Sequence, residues 1–174
     1  GGEGYSLSSA AYEYKTANVV NQELTPTGIA FKPDGTKMFV GGSNGDDINE
    51  YELSTPFDLS TVDFRLTFSF SSQDTSPEGI FFKPDGTKLY MVGRTNDTVY
   101  QYGLSTAWSI STASYDSKSF SVATQDTTPN GVFFKPDGTK MYIMGDVNNT
   151  VYQYSLSTAW DVSTASYDSK CFFL

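Results

Sequence analysis

Three nearly identical decapeptides constrain the fold of this 174-residue chain more than any other feature of its sequence. They read FKPDGTKMFV, FKPDGTKLYM and FKPDGTKMYI, and they begin at Phe31, Phe82 and Phe134, 51 and then 52 residues apart. A fixed period of this size is typical of solenoids, propellers and other repeat arrays. We therefore expect a single repetitive domain over residues 1–174, with units at 25–74, 75–126 and 127–174.

Each unit contains the same four short segments of strand character. The first (GIAF, GIFF or GVFF) ends in Pro-Asp-Gly, a tight turn in which Pro fixes φ and Gly accepts a positive φ. A second strand follows at once, a Gly/Asn/Asp loop leads to the third, and the fourth comes after an LST segment and an aromatic residue. Four antiparallel strands in about 50 residues form a β-propeller blade. The sequence predicts an all-β propeller with three blades per chain; a β-sandwich is the alternative, although a sandwich needs no internal repeat.

The segment GVFFKPDGTKMYI, followed by NNTVYQYSLST, resembles the blades of YVTN-type and WD-repeat-like propellers. The resemblance covers residues 25–174 and implies the propeller fold. It implies little about activity, because propellers host many unrelated functions. The WD dipeptide is missing, since Glu52, Gly103 and Ser155 follow the tyrosines where it would be sought. This departure argues against the WD-repeat subfamily and its usual scaffolding partners.

Three blades are too few for a closed ring, because propellers close with about four to eight. Residues 10–28 align without a gap on residues 113–131, so residues 10–24 are expected to add an outer strand and loop before the first blade. We expect two chains to pair as a homodimer that completes a six-blade ring; the alternative is that the chain is a fragment of a longer repetitive protein. The residues predicted at the assembly interface are Tyr12, Tyr14, Val19, Phe172, Phe173 and Leu174.

The charge and composition exclude several classes of partner. The formal net charge is −9, which disfavours binding to nucleic acid or to anionic lipid. No apolar run approaches the roughly 20 residues of a membrane-spanning helix, so no membrane insertion is expected. A single cysteine, Cys171, cannot form an internal disulfide. The Cys-poor, Ser/Thr-rich composition leaves the compartment open, with an extracellular, bacterial or phage surface favoured.

The meander sorts the loops onto two rims. The fourth-to-first and second-to-third loops share one rim, where carboxylates gather around a single cation, Arg94. Such a rim could bind calcium or a polyhydroxyl ligand, yet Asn, Asp and Gly are also the residues that turns require. One aromatic residue per blade could stack on a sugar or plug the gap between blades. The candidate ligand-binding residues are Asp46, Asp47, Asn96, Asp97, Asn148, Asn149, Phe57, Trp108 and Trp160.

Enzymatic chemistry finds little support in the residue types. The chain has no His, so a Ser-His-Asp or Cys-His triad is excluded and the commonest zinc ligand is missing. Carboxylate pairs exist, but no pair is marked out, and we predict no catalytic residue, metal site or cofactor apart from the calcium already considered. The sequence predicts a non-enzymatic, self-assembling binding or structural module, lectin-like in its leading form, with carbohydrate or peptide as ligand. An intracellular peptide-binding scaffold and a fragment of a surface protein are the alternatives, and a hydrolase is the least favoured.

Overall fold

The computed structural model describes residues 7–174 and contains three four-stranded antiparallel sheets, each a meander of consecutive strands. This confirms the predicted all-β propeller architecture with three blades; residues 1–6 of the predicted domain lie outside the described residues. No helix among residues 7–174 has the length and apolar character needed to cross a membrane. The strands are β1 Pro26–Phe31, β2 Lys37–Gly42, β3 Asp47–Leu53, β4 Val62–Ser69, β5 Pro77–Phe82, β6 Lys88–Gly93, β7 Thr98–Leu104, β8 Ala113–Ser121, β9 Pro129–Phe134, β10 Lys140–Gly145, β11 Thr150–Leu156 and β12 Ala165–Phe173. Short 3-10 helices lie at Leu7–Ser9, Leu59–Thr61, Ile110–Thr112 and Val162–Thr164.

The first strands of the three blades, β1, β5 and β9, lie side by side and form the inner wall at the propeller axis. Glycine allows their close approach. A Cβ built on Gly79 would lie only 3.1 Å from the Cα of Gly131 in the next blade. The fourth strands, β4, β8 and β12, form the outer edges. The residue that precedes each inner-strand glycine therefore lies next to the axis.

The hydrophobic core lies between the blades. Phe39, Ile48 and Phe70 of the first blade are fully buried in one cluster with Leu89 and Met91 of the second. A matching cluster joins the second blade to the third. Burying each such side chain stabilises the fold by roughly 1.5–3 kcal/mol, so the blades depend on their neighbours for stability.

An aromatic residue in each blade covers the glycine of the Pro-Asp-Gly turn. Gly86 has φ +75°, and a Cβ built on it would lie 2.3 Å from the Trp108 ring. The Trp108 backbone N–H donates to the carbonyl of Gly86 at 3.0 Å. The Trp108 ring stacks on Phe82 with centroids 5.1 Å apart. Backbone conformation and available space thus both require glycine at this turn.

Residues 10–20 do not form the predicted outer strand. Within residues 7–174 no third strand of a preceding blade lies beside them, so they lack a backbone to pair with. They nevertheless repeat the contacts that β8 makes with the third blade. Lys15 pairs with Asp58 at 2.9 Å, as Lys118 pairs with Asp161, and Val19 packs on the core of the first blade. We call residues 10–23 the N-terminal segment.

Replacing Gly86 by Ala is expected to lower the free energy of unfolding by about 2–4 kcal/mol, because the new methyl group meets the Trp108 ring and φ stays positive. Urea unfolding followed by circular dichroism would measure the change. Gly103→Ser is the control, since Ser155 stands at the same position in the third blade and bonds to Asp168, the counterpart of Asp116; its effect should be smaller than that of Gly86→Ala. Equal stability of Gly86→Ala and wild type would contradict the prediction.

Candidate functional site

The rim formed by the fourth-to-first and second-to-third loops, the acidic rim, is organised by buried carboxylates. Asp74, which is 2% exposed, accepts backbone hydrogen bonds from Ser76 at 2.8 Å, Thr95 at 3.2 Å and Asn96 at 2.9 Å. Glu23 takes this place before the first blade, and Asp126 takes it before the third. Asp74 and Glu23 each tie two loops together, whereas Asp126 bonds only to Thr128 in its own loop. Part of the negative charge on this rim is therefore structural.

The acidic candidate residues of the rim also serve the turns. Asp46, Asp97 and Asn149 have φ values of 53°, 48° and 47°, in the left-handed region that Asn and Asp tolerate better than most residues. Asp47 is buried and accepts a hydrogen bond from the Asn49 amide at 2.8 Å. Burial raises the pKa of the Asp47 carboxyl. These contacts support the alternative in which the Asn and Asp residues of this rim serve the turns rather than a ligand.

The amide candidates likewise bond within the rim. The Asn96 side chain donates to the carbonyl of Gln73 at 2.8 Å, and the Asn148 side chain donates to the Tyr152 hydroxyl at 3.1 Å. In the part of the chain that the structure describes, no three His, Cys, Asp or Glu side chains converge as a metal ion would require.

The aromatic candidates lie on the opposite rim, and two of them pack between blades. Trp108 is 9% exposed. Trp160 stacks on Phe134 with centroids 5.7 Å apart and accepts a hydrogen bond on its carbonyl from the Tyr90 hydroxyl at 2.7 Å. Phe57, at the same position of the first blade, is 58% exposed. The predicted ligand-binding residues are therefore divided between two rims and do not form one site.

The predicted assembly residues stand at the two ends of the blade array. Val19 is half-buried on the first blade. The others are exposed: Tyr12, Tyr14, Phe172, Phe173 and Leu174.

A different set of residues gathers at the axis on the acidic rim, and sequence reasoning missed it. When the second and third blades are aligned, the side-chain charge differs at four positions. One of them, Ser109 aligned with Asp161, lies on the opposite rim. The three on the acidic rim are Glu78 with Asn130, Arg94 with Asp146, and Asp97 with Asn149. The signal was available: a comparison of the repeats position by position would have found it. We call Thr27, Glu78, Arg94, Asn130 and Asp146 the axial cluster.

Hydrogen bonds connect part of the axial cluster. The Asn130 amide donates to the Asp146 carboxylate. The Thr27 hydroxyl donates to the carbonyl of Pro77 at 3.0 Å, across two neighbouring inner strands. The side-chain amide oxygen (Oδ1) of Asn130 is buried and has no hydrogen-bond partner among residues 7–174. A buried acceptor without a partner is costly.

The electrostatics of the cluster favour a proton acceptor beside a cation. Burial raises the pKa of the half-buried Glu78 carboxyl, and the negative charge of Asp146 adds to the effect, while Ser76 and Arg94 oppose it. Arg94 is exposed and forms no ion pair within residues 7–174. Its guanidinium can therefore bind an anionic group of a ligand.

No model of a known protein family matches the chain, and no curated protein matches it in sequence. Solved structures do. A candidate 6-phosphogluconolactonase from Bacteroides fragilis matches with TM-score 0.63 and 15% identity, over 86% of this chain and 39% of that one. A candidate 6-phosphogluconolactonase from Bacteroides uniformis matches with TM-score 0.60 and 15% identity, over 88% of this chain and 43% of that one. The β-propeller domain of Cps50 (Swd1) from Myceliophteria thermophila matches with TM-score 0.54 and 10% identity, over 83% and 44%.

These similarities place the chain among the β-propellers. At such identities they show the fold alone, and the chain spans about two fifths of the length of the structures it matches.

The comparisons correct the predicted function. The prediction of a binding or structural module, lectin-like in its leading form, is wrong, because similar structures carry the name of an enzyme. Pairing with a second copy of the chain is tested by none of these comparisons and stays a prediction. The packing of Trp108 between blades also removes a residue on which sugar stacking depended. The separate expectation that this chain has no enzymatic activity stays a prediction, and the axial cluster gives a specific reason to test it.

Replacing Asp74 by Ala is expected to destabilise the fold by about 2–4 kcal/mol, because three backbone N–H groups lose a charged acceptor. Thermal and urea unfolding would measure the loss. Asp63→Ala removes an exposed carboxylate from β4 and serves as the control, with little expected change. If both variants unfold at the same denaturant concentration, the structural role of Asp74 is refuted.

Proposed function

We propose that the axial cluster is the reaction site of an enzyme-like propeller that hydrolyses a small anionic ester or lactone. One observation carries the proposal: the second and third blades are close copies, yet three of their four charge changes lie on the acidic rim, two of them within the axial cluster. The KPDGTK turns of the opposite rim, by contrast, are identical in all three blades.

The name of two similar structures supports a substrate class. A 6-phosphogluconolactonase is named for a lactone that carries a phosphate. A guanidinium binds phosphate with two parallel hydrogen bonds, a role that fits Arg94, which forms no ion pair within residues 7–174.

Glu78 supplies the proton acceptor that hydrolysis needs. Its carboxylate takes a proton from a water molecule while the water oxygen attacks the lactone carbonyl carbon. The bond between that carbon and the ring oxygen then breaks, and the leaving alkoxide takes the proton back from Glu78. A raised pKa makes the carboxylate a stronger base, at the cost of being protonated over a wider acidic range.

We also propose that the blades descend from YVTN-type propellers. The Phe-x-Pro-Asp-Gly turn that ends each first strand supports this descent.

Glu78→Gln is expected to reduce turnover of 6-phosphogluconolactone at least 100-fold, because the general base is removed. Proton release at constant pH, corrected for spontaneous hydrolysis, would measure the rate. Since a carboxylate acts as base only when ionised, kcat/KM of the wild type should fall as pH drops through a pKa above the usual glutamate range.

Two further variants make the test specific. Arg94→Ala should raise KM for the phosphorylated lactone and leave KM for the unphosphorylated lactone unchanged. Glu52→Gln, on a carboxylate that pairs with Arg65 away from the axis, should retain full activity. A wild-type rate equal to the spontaneous rate for both lactones would overturn the proposal.

A further inference from the structure

Two apolar blade faces lack a covering blade within residues 7–174. The leading face, on the first blade, is a cleft of about 330 Å³ lined by Ile29, Met38, Val40 and Leu59, and partly covered by the N-terminal segment. The trailing face, on the third blade, carries Phe133, Tyr142, Met144, Val151 and Phe172.

The interior interfaces show what a trailing face packs against. Tyr142, Met144 and Val151 of the third blade are the aligned copies of Tyr90, Val92 and Val99 of the second. Those three copies are fully buried against the third blade. The surface that they cover there belongs to Met141, Ile143 and Val162, which are the aligned copies of Met38, Val40 and Leu59 on the leading face.

Polar contacts across the interior interfaces extend the match. The Gln101 side chain accepts a hydrogen bond from the Val162 backbone N–H at 3.0 Å. The aligned pair is Gln153 on the trailing face and Leu59 on the leading face. Glu50 makes the same contact with the Ile110 N–H at 3.1 Å, so this bond recurs at both interior interfaces.

A charged pair crosses one of the two interior interfaces. Lys118 of β8 pairs with Asp161 of the next blade. The aligned residues are Lys170 and Asp58, on opposite ends of the chain. Lys170 has no ion-pair partner in the described chain, and Asp58 is held by Lys15 of the N-terminal segment.

We infer that the trailing face binds the leading face of a second copy of this chain, so that two identical head-to-tail contacts close a ring of six blades. A second copy is the occupant that the sequence itself specifies, because both faces repeat a contact already made twice within one chain. Six blades fall in the range in which propellers close. The inference does not rest on the proposed enzymatic function.

The N-terminal segment must leave the leading face for this ring to form. Ala17 and Val19 are the aligned copies of Phe120 and Val122, and so are Phe172 and Leu174 at the other end. A second copy's β12 and the N-terminal segment would therefore occupy the same place. β12 pairs along β11 from Thr150 to Leu156, whereas the segment has no strand partner among residues 7–174. The segment has fewer bonds to lose, so it is the element displaced.

Variants of the two faces test the geometry of the contact. Ile29→Glu damages the leading face and Met144→Glu the trailing face, at side chains that are 63% and 41% exposed, so both should fold as the wild type does. The wild type should have twice the mass of the 19.1 kDa chain in sedimentation, and each variant alone should be monomeric. Mixing the two variants should restore a one-to-one dimer, because one undamaged contact remains. Ala123→Glu, at an exposed site of the second blade, should leave the wild-type dimer intact.

The outcomes separate the alternatives. A wild-type monomer, an open series of polymers or a ring of another size would overturn the inference. A mixture in which both variants stay monomeric, while the wild type dimerises, would overturn the head-to-tail contact. Dimerisation of either single variant would show that another surface holds the copies together.

The displaced segment gives a second test. Val19→Asp should detach the segment from the leading face and lower the dissociation constant of the dimer about tenfold, since burial of one valine contributes roughly 1.5 kcal/mol. Val20→Asp, at the adjacent exposed position, should leave the constant unchanged. If Val19→Asp weakens the dimer, the segment is part of the interface and the competition is refuted.

Discussion

Packing of one blade on the next is the interaction on which this structure depends. Each sheet is four strands wide and has two apolar faces, and the clusters that bury those faces contain residues from adjacent blades. Tyr102 and Tyr154 each make both an apolar and a polar contact in this packing. Their rings are buried against the preceding blade, and their hydroxyls reach Gln73 and Gln125 at 3.2 Å. The equivalent Tyr51 of the first blade is buried too, but its hydroxyl has no partner among the described residues.

The same dependence explains why equivalent residues differ so much in exposure. Phe57, Trp108 and Trp160 occupy one position of the repeat, yet Phe57 remains exposed because no blade precedes its own within residues 7–174. The N-terminal segment covers part of the leading face with smaller side chains, Ala17 and Val19, and leaves a cleft behind. Equivalent residues of the repeat are thus buried or exposed according to whether a neighbouring blade covers them.

The sequence predicted the fold, whereas the candidate axial cluster was not found from it, and both outcomes have physical reasons. Repetition of the Pro-Asp-Gly turn specifies a meander, since proline and glycine fix the backbone locally. The strand expected over residues 10–20 failed because strands need a partner backbone, which local sequence cannot supply. The rim residues chosen as ligands were turn residues, whose Asn and Asp serve the backbone first. Glu78 and Arg94 stand at positions where the blades differ, so the shared motifs that define the repeat do not mark them.

The hydrogen bonds that Glu50 and Gln101 accept from the next blade have a consequence for how such chains grow. In each bond a side-chain oxygen accepts from a backbone N–H, that of Ile110 or Val162. Every residue except proline provides such an N–H. A newly duplicated unit would form this hydrogen bond whatever side chain, other than proline, it carried at the donor position. Gene duplication can therefore lengthen the array by whole units, with only the hydrophobic contacts left for later mutation to refine.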